Sequence, residues 1–235
     1  MITMLAAQKW SVAFEKIRSS DPFSYAVVDD FLRPDAARAL RAELLSSSHW
    51  HSREITRRDG NVEWVAKQWF NDCAHLPLVQ DLEGELERIF DALEKCRAAN
   101  RWAIACSENL GHFPHCDGGA LSVNLWLTPE KHHLAGSGGM VLFDVKRKLA
   151  MAPLEYASAS GGCVEYVSRH AVQAPAVVSY RYNRAVVFDA WTFHSTDLLR
   201  FGDDDFGSAR LNLTFTFDLA NHGALCFRNV ARQEL

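Results

Sequence analysis

An α+β fold is predicted by the order of local patterns along the chain, because helical patterns dominate the first 100 residues and strand patterns follow. The 235 residues are 48% hydrophobic and carry a formal net charge of −4, which is typical of one globular domain with a sizeable core. We therefore expect a single domain over residues 1–235, with residues 1–100 as mainly helical support for a strand-rich core at residues 101–218.

The composition argues against several classes of protein. Lys and Arg number 25 against 29 Asp and Glu, so no basic surface for nucleic acid is expected. No apolar run is long enough to span a membrane, and the six cysteines lack the C-x-x-C spacing of a zinc ribbon or a disulfide framework. The amino terminus lacks the basic and long apolar regions of a signal peptide, so we expect a cytoplasmic protein.

The first hundred residues predict two helices beside three strands. The run SYAVVDDFL predicts a strand, and Pro34 then opens a helix that lasts to residue 45, since proline is tolerated in a first helical turn. The pair Asp59-Gly60 predicts a tight turn between strands at residues 52–56 and 62–66. Apolar residues spaced three and four apart predict an amphipathic helix over residues 77–96. We expect both helices to buttress a sheet.

Six short apolar runs in the rest of the chain predict strands, at residues 102–106, 121–127, 139–145, 176–182, 185–190 and 211–217. The last of these alternates cleanly, with Arg210, Asn212, Thr214 and Thr216 on one face and Leu or Phe on the other. If the apolar face packs on helices, the polar face would line a cavity. A guanidinium there would present a fork suited to a carboxylate.

The stretch GHFPHCDGGALSVNLWL carries the spacing of a metal site. Side chains two apart in extended backbone project from the same face, so His115 and Asp117 can hold one ion while Cys116 points away. His194, which ends an apolar run, would be the third ligand. Two histidines and one carboxylate leave coordination positions open and suit non-haem Fe(II). His112 is a competing ligand, but no acid follows it two positions later.

Four elements therefore occur in one order: His-x-Asp, a distal histidine, an arginine beyond it, and strands between them. In this order the sequence resembles the 2-oxoglutarate/Fe(II)-dependent dioxygenases of the prolyl-hydroxylase and phytanoyl-hydroxylase type, over residues 101–218. The strings NLWLTPE, SGGMVLFD and NRAVVFDAWTFHSTD resemble a bacterial branch of that superfamily. The sixteen positions from His194 to Arg210 exceed the gap in many members.

The resemblance implies a double-stranded β-helix, the jelly-roll barrel of cupin-like proteins, with supporting amino-terminal helices. It implies iron ligation by His115, Asp117 and His194, and binding of the distal 2-oxoglutarate carboxylate by Arg210, with Arg181, Arg184 and Arg200 as the next candidates. Asn124 and Asn212 would add contacts to 2-oxoglutarate, although Asn124 is equally well explained as a hydrogen-bonded part of the barrel wall.

The implied activity uses O2 to hydroxylate an unactivated C–H bond of a small molecule or natural-product intermediate, and it releases succinate and CO2. Desaturation and ring formation are related outcomes, and a peptide or carrier-bound substrate is an alternative to a small molecule. Two other classes stay open on the residues alone. One is a non-catalytic, cupin-like metal-binding or sensor protein, and the other is a zinc- or manganese-dependent hydrolase or isomerase.

The connection at residues 146–175 is long and rich in Ala, Ser and Gly. Such connections in compact domains are often lids or binding loops, and closure would protect a reactive oxidant from water. We therefore expect a substrate lid, with a short helix over residues 162–170 and with Tyr156, Tyr166 and Arg169 facing the substrate.

Overall fold

The structure, a computed structural model, describes residues 3–7, 10–19, 22–59, 62–109, 114–156, 161–202 and 206–219. These residues contain the helices α1 (Trp10–Ser19), α2 (Pro34–Ser46), α3 (Pro77–Glu94), α4 (Pro153–Tyr156) and α5 (Gly161–His170). Their strands are β1 (Tyr25–Val28), β2 (His51–Asp59), β3 (Val62–Asn71), β4 (Cys96–Cys106), β5 (Glu108–Asn109), β6 (Leu121–Trp126), β7 (His133–Gly136), β8 (Met140–Lys146), β9 (Ala176–Val178), β10 (Ala185–Asp189), β11 (Thr192–Thr196), β12 (Leu199–Phe201) and β13 (Arg210–Leu219).

The strands form antiparallel sheets, and the α+β prediction is confirmed at that level. A seven-stranded sheet has the order β1-β10-β6-β13-β4-β3-β2, and a three-stranded sheet has the order β11-β8-β9. A further small sheet has the order β5-β12-β7. Strands close in sequence can belong to different sheets, since β10 belongs to the large sheet and β11, which begins only three residues later, belongs to a small one.

Most predicted elements are present with shifted ends. The helix predicted over residues 77–96 stops at Glu94, because Lys95 adopts a left-handed backbone conformation (φ 56°) and Cys96 already pairs with Leu219. The strand predicted over residues 102–106 starts six residues earlier for the same reason. In the predicted hairpin, β2 and β3 pair from Asp59 and Val62 outwards, while residues 60–61 lie outside the described part of the chain.

The main hydrophobic core lies between the large sheet and the first three helices. The apolar face of β13 supplies Leu211, Leu213, Phe215 and Phe217 to this core, as the alternation predicts. Phe217 meets Phe90 of α3 edge to face, with 4.8 Å between ring centroids. Each such side chain contributes about 2–3 kcal/mol when buried. The polar face of the strand therefore turns away from the helices and into the protein.

One strand boundary is not apparent from the sequence. The run that ends at His194 was expected to be one strand at residues 185–190 followed by the histidine, yet β10 ends at Asp189 and β11 begins at Thr192. The Asp189 carboxylate accepts a hydrogen bond from the Trp191 backbone N–H (2.9 Å) and pairs with Lys146 (2.9 Å). This buried ion pair stabilises the turn that moves the chain from one sheet to the other.

Within the described residues, no helix is both long enough and apolar enough to cross a membrane.

Candidate metal centre

His115, Asp117 and His194 meet at one point, where their ligand atoms all lie within 4.8 Å of one another. A two-way backbone bridge brings them together, because His115 and His194 each donate their N–H to the other's carbonyl oxygen at 2.9 Å. The two imidazole centroids lie 4.5 Å apart. The side chains of Asp117 and His194 are buried, so an ion placed among these three groups would be largely shielded from water.

Cys116 lies between two of these residues and faces the other way. Its Sγ donates to the Trp191 carbonyl oxygen (3.1 Å), and its side chain packs in a cluster with Cys163 and Phe193. Burial raises the pKa of the Cys116 thiol well above its usual value, so the group stays neutral. A thiolate-bound zinc ion at this position is therefore not supported.

Hydrogen bonds fix the orientation of two of the three groups. His194 Nδ1 lies 3.0 Å from the Thr192 carbonyl oxygen, which can only accept, so Nδ1 donates there and Nε2 is the nitrogen left to face an ion. That Nε2 lies 3.8 Å from Asp117 Oδ2. Ser122 Oγ donates to the same carboxylate oxygen at 2.7 Å. Such outer contacts set ligand direction in metal sites.

Removal of the Ser122 hydroxyl tests this orientation. Ser122→Ala is expected to weaken Fe(II) binding about 10- to 100-fold, because the Asp117 carboxylate loses the bond that directs it. Isothermal titration of the purified variant with Fe(II) under anaerobic conditions measures the change. Ser195→Ala is the matched control, since its side chain alternates away from His194 on β11. Equal affinities for the two variants would contradict the orienting role.

A row of polar side chains leads away from the three groups along β6 and β13. We call it the polar row, and it consists of Ser122, Asn124, Asn212, Thr214 and Thr216. Strand register pairs Thr216 with Ser122 and Thr214 with Asn124. Within the described residues, the buried atoms Asn212 Oδ1 and Thr216 Oγ1 find no hydrogen-bond partner. The row therefore keeps unused hydrogen-bonding capacity inside the protein.

Both ends of the Asn124 amide are engaged. Its Nδ2 donates to Thr214 Oγ1 (3.2 Å) and its Oδ1 accepts from Trp126 Nε1 (2.7 Å). This arrangement favours a structural part within the large sheet, which agrees with one of the two explanations of the residue. Asn212 donates to the same threonine at 3.0 Å and retains its free acceptor, so it is the better placed of the two amides to contact a ligand.

Arg210 lies at the far end of the polar row and is only 6% exposed. Its Nε donates to the Gly138 carbonyl oxygen (2.7 Å), and its Cζ lies 5.3 Å from the Trp126 ring centroid. Burial lowers the pKa of Arg210 to about 10, which still leaves it a cation at neutral pH. No ion pair joins Arg210 to a carboxylate in the described part of the chain. A buried cation without an anion is costly.

Strand register relates the two ends of the row. Gly138, which accepts from Arg210, stands four positions before Leu142, and Leu142 pairs with His194. Gly138 itself lies two residues before β8 begins at Met140. The polar row thus connects the three convergent groups, through Ser122, with a buried cation at its other end.

Solved structures of similar shape include a 2OG-Fe(II) oxygenase family protein and a protein solved with 2-oxoglutarate bound. A 2OG-Fe(II) oxygenase family oxidoreductase from Burkholderia pseudomallei is 12% identical, with 93% of this chain and 95% of that chain covered and a TM-score of 0.57. AviO1 from Streptomyces viridochromogenes Tue57 is 15% identical, with 93% of this chain and 98% of that chain covered and a TM-score of 0.56. HygX from Streptomyces hygroscopicus was solved with nickel and 2-oxoglutarate bound. It is 12% identical, with 92% of this chain and 88% of that chain covered and a TM-score of 0.54.

The chain has the fold of the 2-oxoglutarate/Fe(II) oxygenases. The resemblance drawn from the sequence is thereby confirmed at the level of the fold. No protein-family model matches the sequence, and the comparison with curated proteins found no match. At 12–15% identity the likeness carries the fold alone, and the chemistry of the site depends on its side chains.

Within this oxygenase fold, the other candidate arginines are engaged elsewhere. Arg181 and Arg184 both pair with Asp29, at 3.2 Å and 2.6 Å. Arg200 is exposed on β12. Arg210 is the buried arginine of the described residues, and it alone of the four heads the polar row.

The residues expected to face a substrate lie behind the ligand-bearing strands of the oxygenase fold. Tyr156 and Tyr166 pack with Cys116 and Phe193, whose side chains alternate with those of the convergent groups. The Tyr156 carbonyl oxygen accepts from the Cys116 N–H (2.8 Å). Arg169 is exposed and pairs with Glu165. The helix expected over residues 162–170 is α5, whereas residues 157–160 lie outside the described part, and the lid itself stays a prediction.

Three contributors to the site were missed by sequence reasoning. The bond from Ser122 to Asp117 joins residues five apart across a turn, and the carbonyl groups of Thr192 and Gly138 act through backbone atoms. Ser122 lies on the same strand face as Asn124, so the two-residue period of a strand could have indicated that Ser122 points towards the site. Every residue has a backbone carbonyl, so the residue type does not show which carbonyl will accept a hydrogen bond.

Proposed function

We propose that the protein is an Fe(II)- and 2-oxoglutarate-dependent oxygenase that hydroxylates an unactivated C–H bond of a small molecule or natural-product intermediate, with release of succinate and CO2. The observation that carries this proposal is the convergence of His115, Asp117 and His194 within 4.8 Å in a chain with the oxygenase fold. The buried cation of Arg210, which has no ion pair among the described residues, lies at the other end of the polar row and supports the same ligand set.

The donor set fits iron. Two imidazoles and one carboxylate are borderline and hard ligands that suit Fe(II) and leave coordination positions open for a co-substrate and dioxygen. The Cys116 thiol turns away from the three ligands, so no thiolate joins them in the described part of the chain. When bound there, iron with 2-oxoglutarate and dioxygen supplies the oxidising power that removes hydrogen from the substrate.

The chain's own residues bind, orient and shield. His115, Asp117 and His194 would hold the ion, and Arg210 would pair with the distal carboxylate of 2-oxoglutarate through charge-assisted hydrogen bonds. The free Asn212 oxygen and the Thr216 hydroxyl would add polar contacts along the row. Phe188, whose ring lies 4.7 Å from that of His194, covers the histidine and keeps water from it.

We further infer that the sheets form the double-stranded β-helix of the family. The strands β4, β13, β6 and β10 lie side by side in the large sheet. A second set begins with the backbone bridge between His115 and His194 of β11. In this set β11 pairs with β8, and β8 pairs with β9. The chain passes between these two sets after β6, β9, β10 and β11, which is the winding of a jelly roll.

Oxygen-dependent succinate release tests the function. The purified protein, supplied with Fe(II) and 2-oxoglutarate, would be screened with amino acids, peptides, carrier-bound acyl groups and natural-product intermediates. We expect succinate in proportion to hydroxylated product, and none without oxygen. A zinc- or manganese-dependent hydrolase would turn over without oxygen or 2-oxoglutarate. A metal sensor would bind the ion and yield no succinate with any compound, and either result would overturn the proposal.

A further inference from the structure

Arg147 follows β8 directly, and two aromatic rings hold its guanidinium. Its Cζ lies 3.9 Å from the centroid of the Tyr156 ring and 4.3 Å from that of Trp191. Both distances are well inside the 6 Å range of cation–π attraction. Stacking of this kind uses the faces of the planar group and leaves its edges, where the N–H donors lie, available for other partners.

Those donors have no acceptor in the described part of the chain. Arg147 Nε is buried without a hydrogen-bond partner, and no ion pair of the described residues includes Arg147 or its neighbour Lys148. The nearby carboxylates are already engaged. Glu155 accepts from the Ala152 N–H, and Asp189 pairs with Lys146. An ordered cation therefore keeps its charge uncompensated.

Arg147 lies beside the segment that carries the proposed iron ligands. Its backbone N–H donates to the Trp191 carbonyl oxygen (2.9 Å), which also accepts from Cys116 Sγ (3.1 Å). The Trp191 indole N–H donates to the Gly119 carbonyl oxygen (3.0 Å). Register pairs Asp189 with Leu121 and Thr192 with Lys146, so the turns at residues 117–120 and 189–192 lie at the same end of the sheets as Arg147.

We propose that Arg147 binds an anionic group of a ligand, either a carboxylate or a phosphate. The inference goes beyond the proposed function, because Arg147 stacks on Tyr156, which packs with Cys116 and Phe193 on the side that faces away from the proposed iron ligands. The rigid guanidinium edge offers parallel donors that match two oxygens of either anion. Tyr156, which was expected to face the substrate, would instead contribute by holding Arg147 in place.

Binding of simple anions tests the proposal without knowledge of the substrate. Benzoate, phenyl phosphate and the neutral benzyl alcohol would be titrated into the full-length protein with Ni(II) and 2-oxoglutarate at saturation, so that the metal and Arg210 are occupied. We expect one or both anions to bind and benzyl alcohol not to bind. The anion that binds more tightly identifies the class of group that the site takes, and failure of both anions to bind would overturn the proposal.

Substitutions assign the binding to Arg147. Arg147→Gln is expected to weaken the anion about 10- to 100-fold, which corresponds to the loss of charge-assisted hydrogen bonds. Lys148→Gln removes the same charge one position away, where the side chain is exposed, and should change affinity less than about threefold. Arg147→Lys keeps the charge, so its affinity for the anion should lie between those of the two glutamine variants. This variant keeps the test possible if Arg147→Gln fails to fold.

The outcomes separate this inference from the proposed function. Equal anion affinity for wild type and Arg147→Gln, or an equal loss in Lys148→Gln, would overturn the anion site while 2-oxoglutarate turnover stands. If the anions bind through Arg147 but the protein neither binds nor consumes 2-oxoglutarate, the anion site stands and the oxygenase assignment falls.

Discussion

Alanine in place of His115, Asp117 or His194 is expected to abolish iron binding and oxygenase activity while the chain stays folded. Each residue supplies one of three ligand atoms within 4.8 Å, and metal affinity depends on ligand number. Because loss of a ligand's hydrogen-bonding partner alone costs about 10- to 100-fold, loss of a ligand should cost more than about 100-fold. Iron content and succinate release of the purified variants measure the effect, with circular dichroism as the check on folding.

Cys116→Ala is the matched control for these variants. Cys116 lies between two of the proposed ligands in the chain but faces the cluster with Cys163 and Phe193, so this variant should retain its iron. Full iron occupancy and turnover in any one of the three ligand variants would remove that residue from the site. Loss of iron in Cys116→Ala as well would show that the measurement reports on local packing instead.

Arg210→Ala is expected to raise the Michaelis constant for 2-oxoglutarate while iron still binds. The guanidinium is buried and meets no carboxylate among the described residues, so in our proposal it pairs with the co-substrate. Removal of one partner of a buried, hydrogen-bonded charge pair costs about 2–5 kcal/mol, a factor of at least about 30 in affinity. Steady-state kinetics of succinate release at varied 2-oxoglutarate concentration give the constant.

Arg184→Ala serves as the control for the loss of a cation. Arg184 pairs with Asp29, so its replacement should leave the Michaelis constant for 2-oxoglutarate unchanged. Arg210→Lys retains the charge but not the paired N–H donors of the guanidinium. We expect it to bind 2-oxoglutarate more tightly than Arg210→Ala and less tightly than the wild type. An unaltered Michaelis constant in Arg210→Ala would assign the distal carboxylate to another group.

Patterns that depend on neighbouring residues were predictable. The alternation from Arg210 to Phe217 follows from the two-residue period of a strand, and it places the leucines and phenylalanines on the helices as expected. The same period explains why His115 and Asp117 share a face while Cys116 turns away. Proline in a first turn and apolar spacings of three and four were enough to locate α2 and α3.

Contacts between distant residues were decided by the tertiary structure. The break between β10 and β11 depends on Lys146, which reaches Asp189 from another strand, and this break brings His194 to His115. The sequence does not show which face of a sheet a loop will cover, so the packing of Tyr156 and Tyr166 with Cys116 and Phe193 was not predicted.

The sequence by itself therefore determined the ligand types, their spacing within each strand and the polar face that ends in Arg210, because these follow from local backbone geometry. The tertiary structure decided which strands meet, which carbonyl oxygen orients His194 and which rings enclose Arg147. Those depend on strand pairing across as many as 163 residues, as between Tyr25 and Phe188, and only packing of the whole chain selects them.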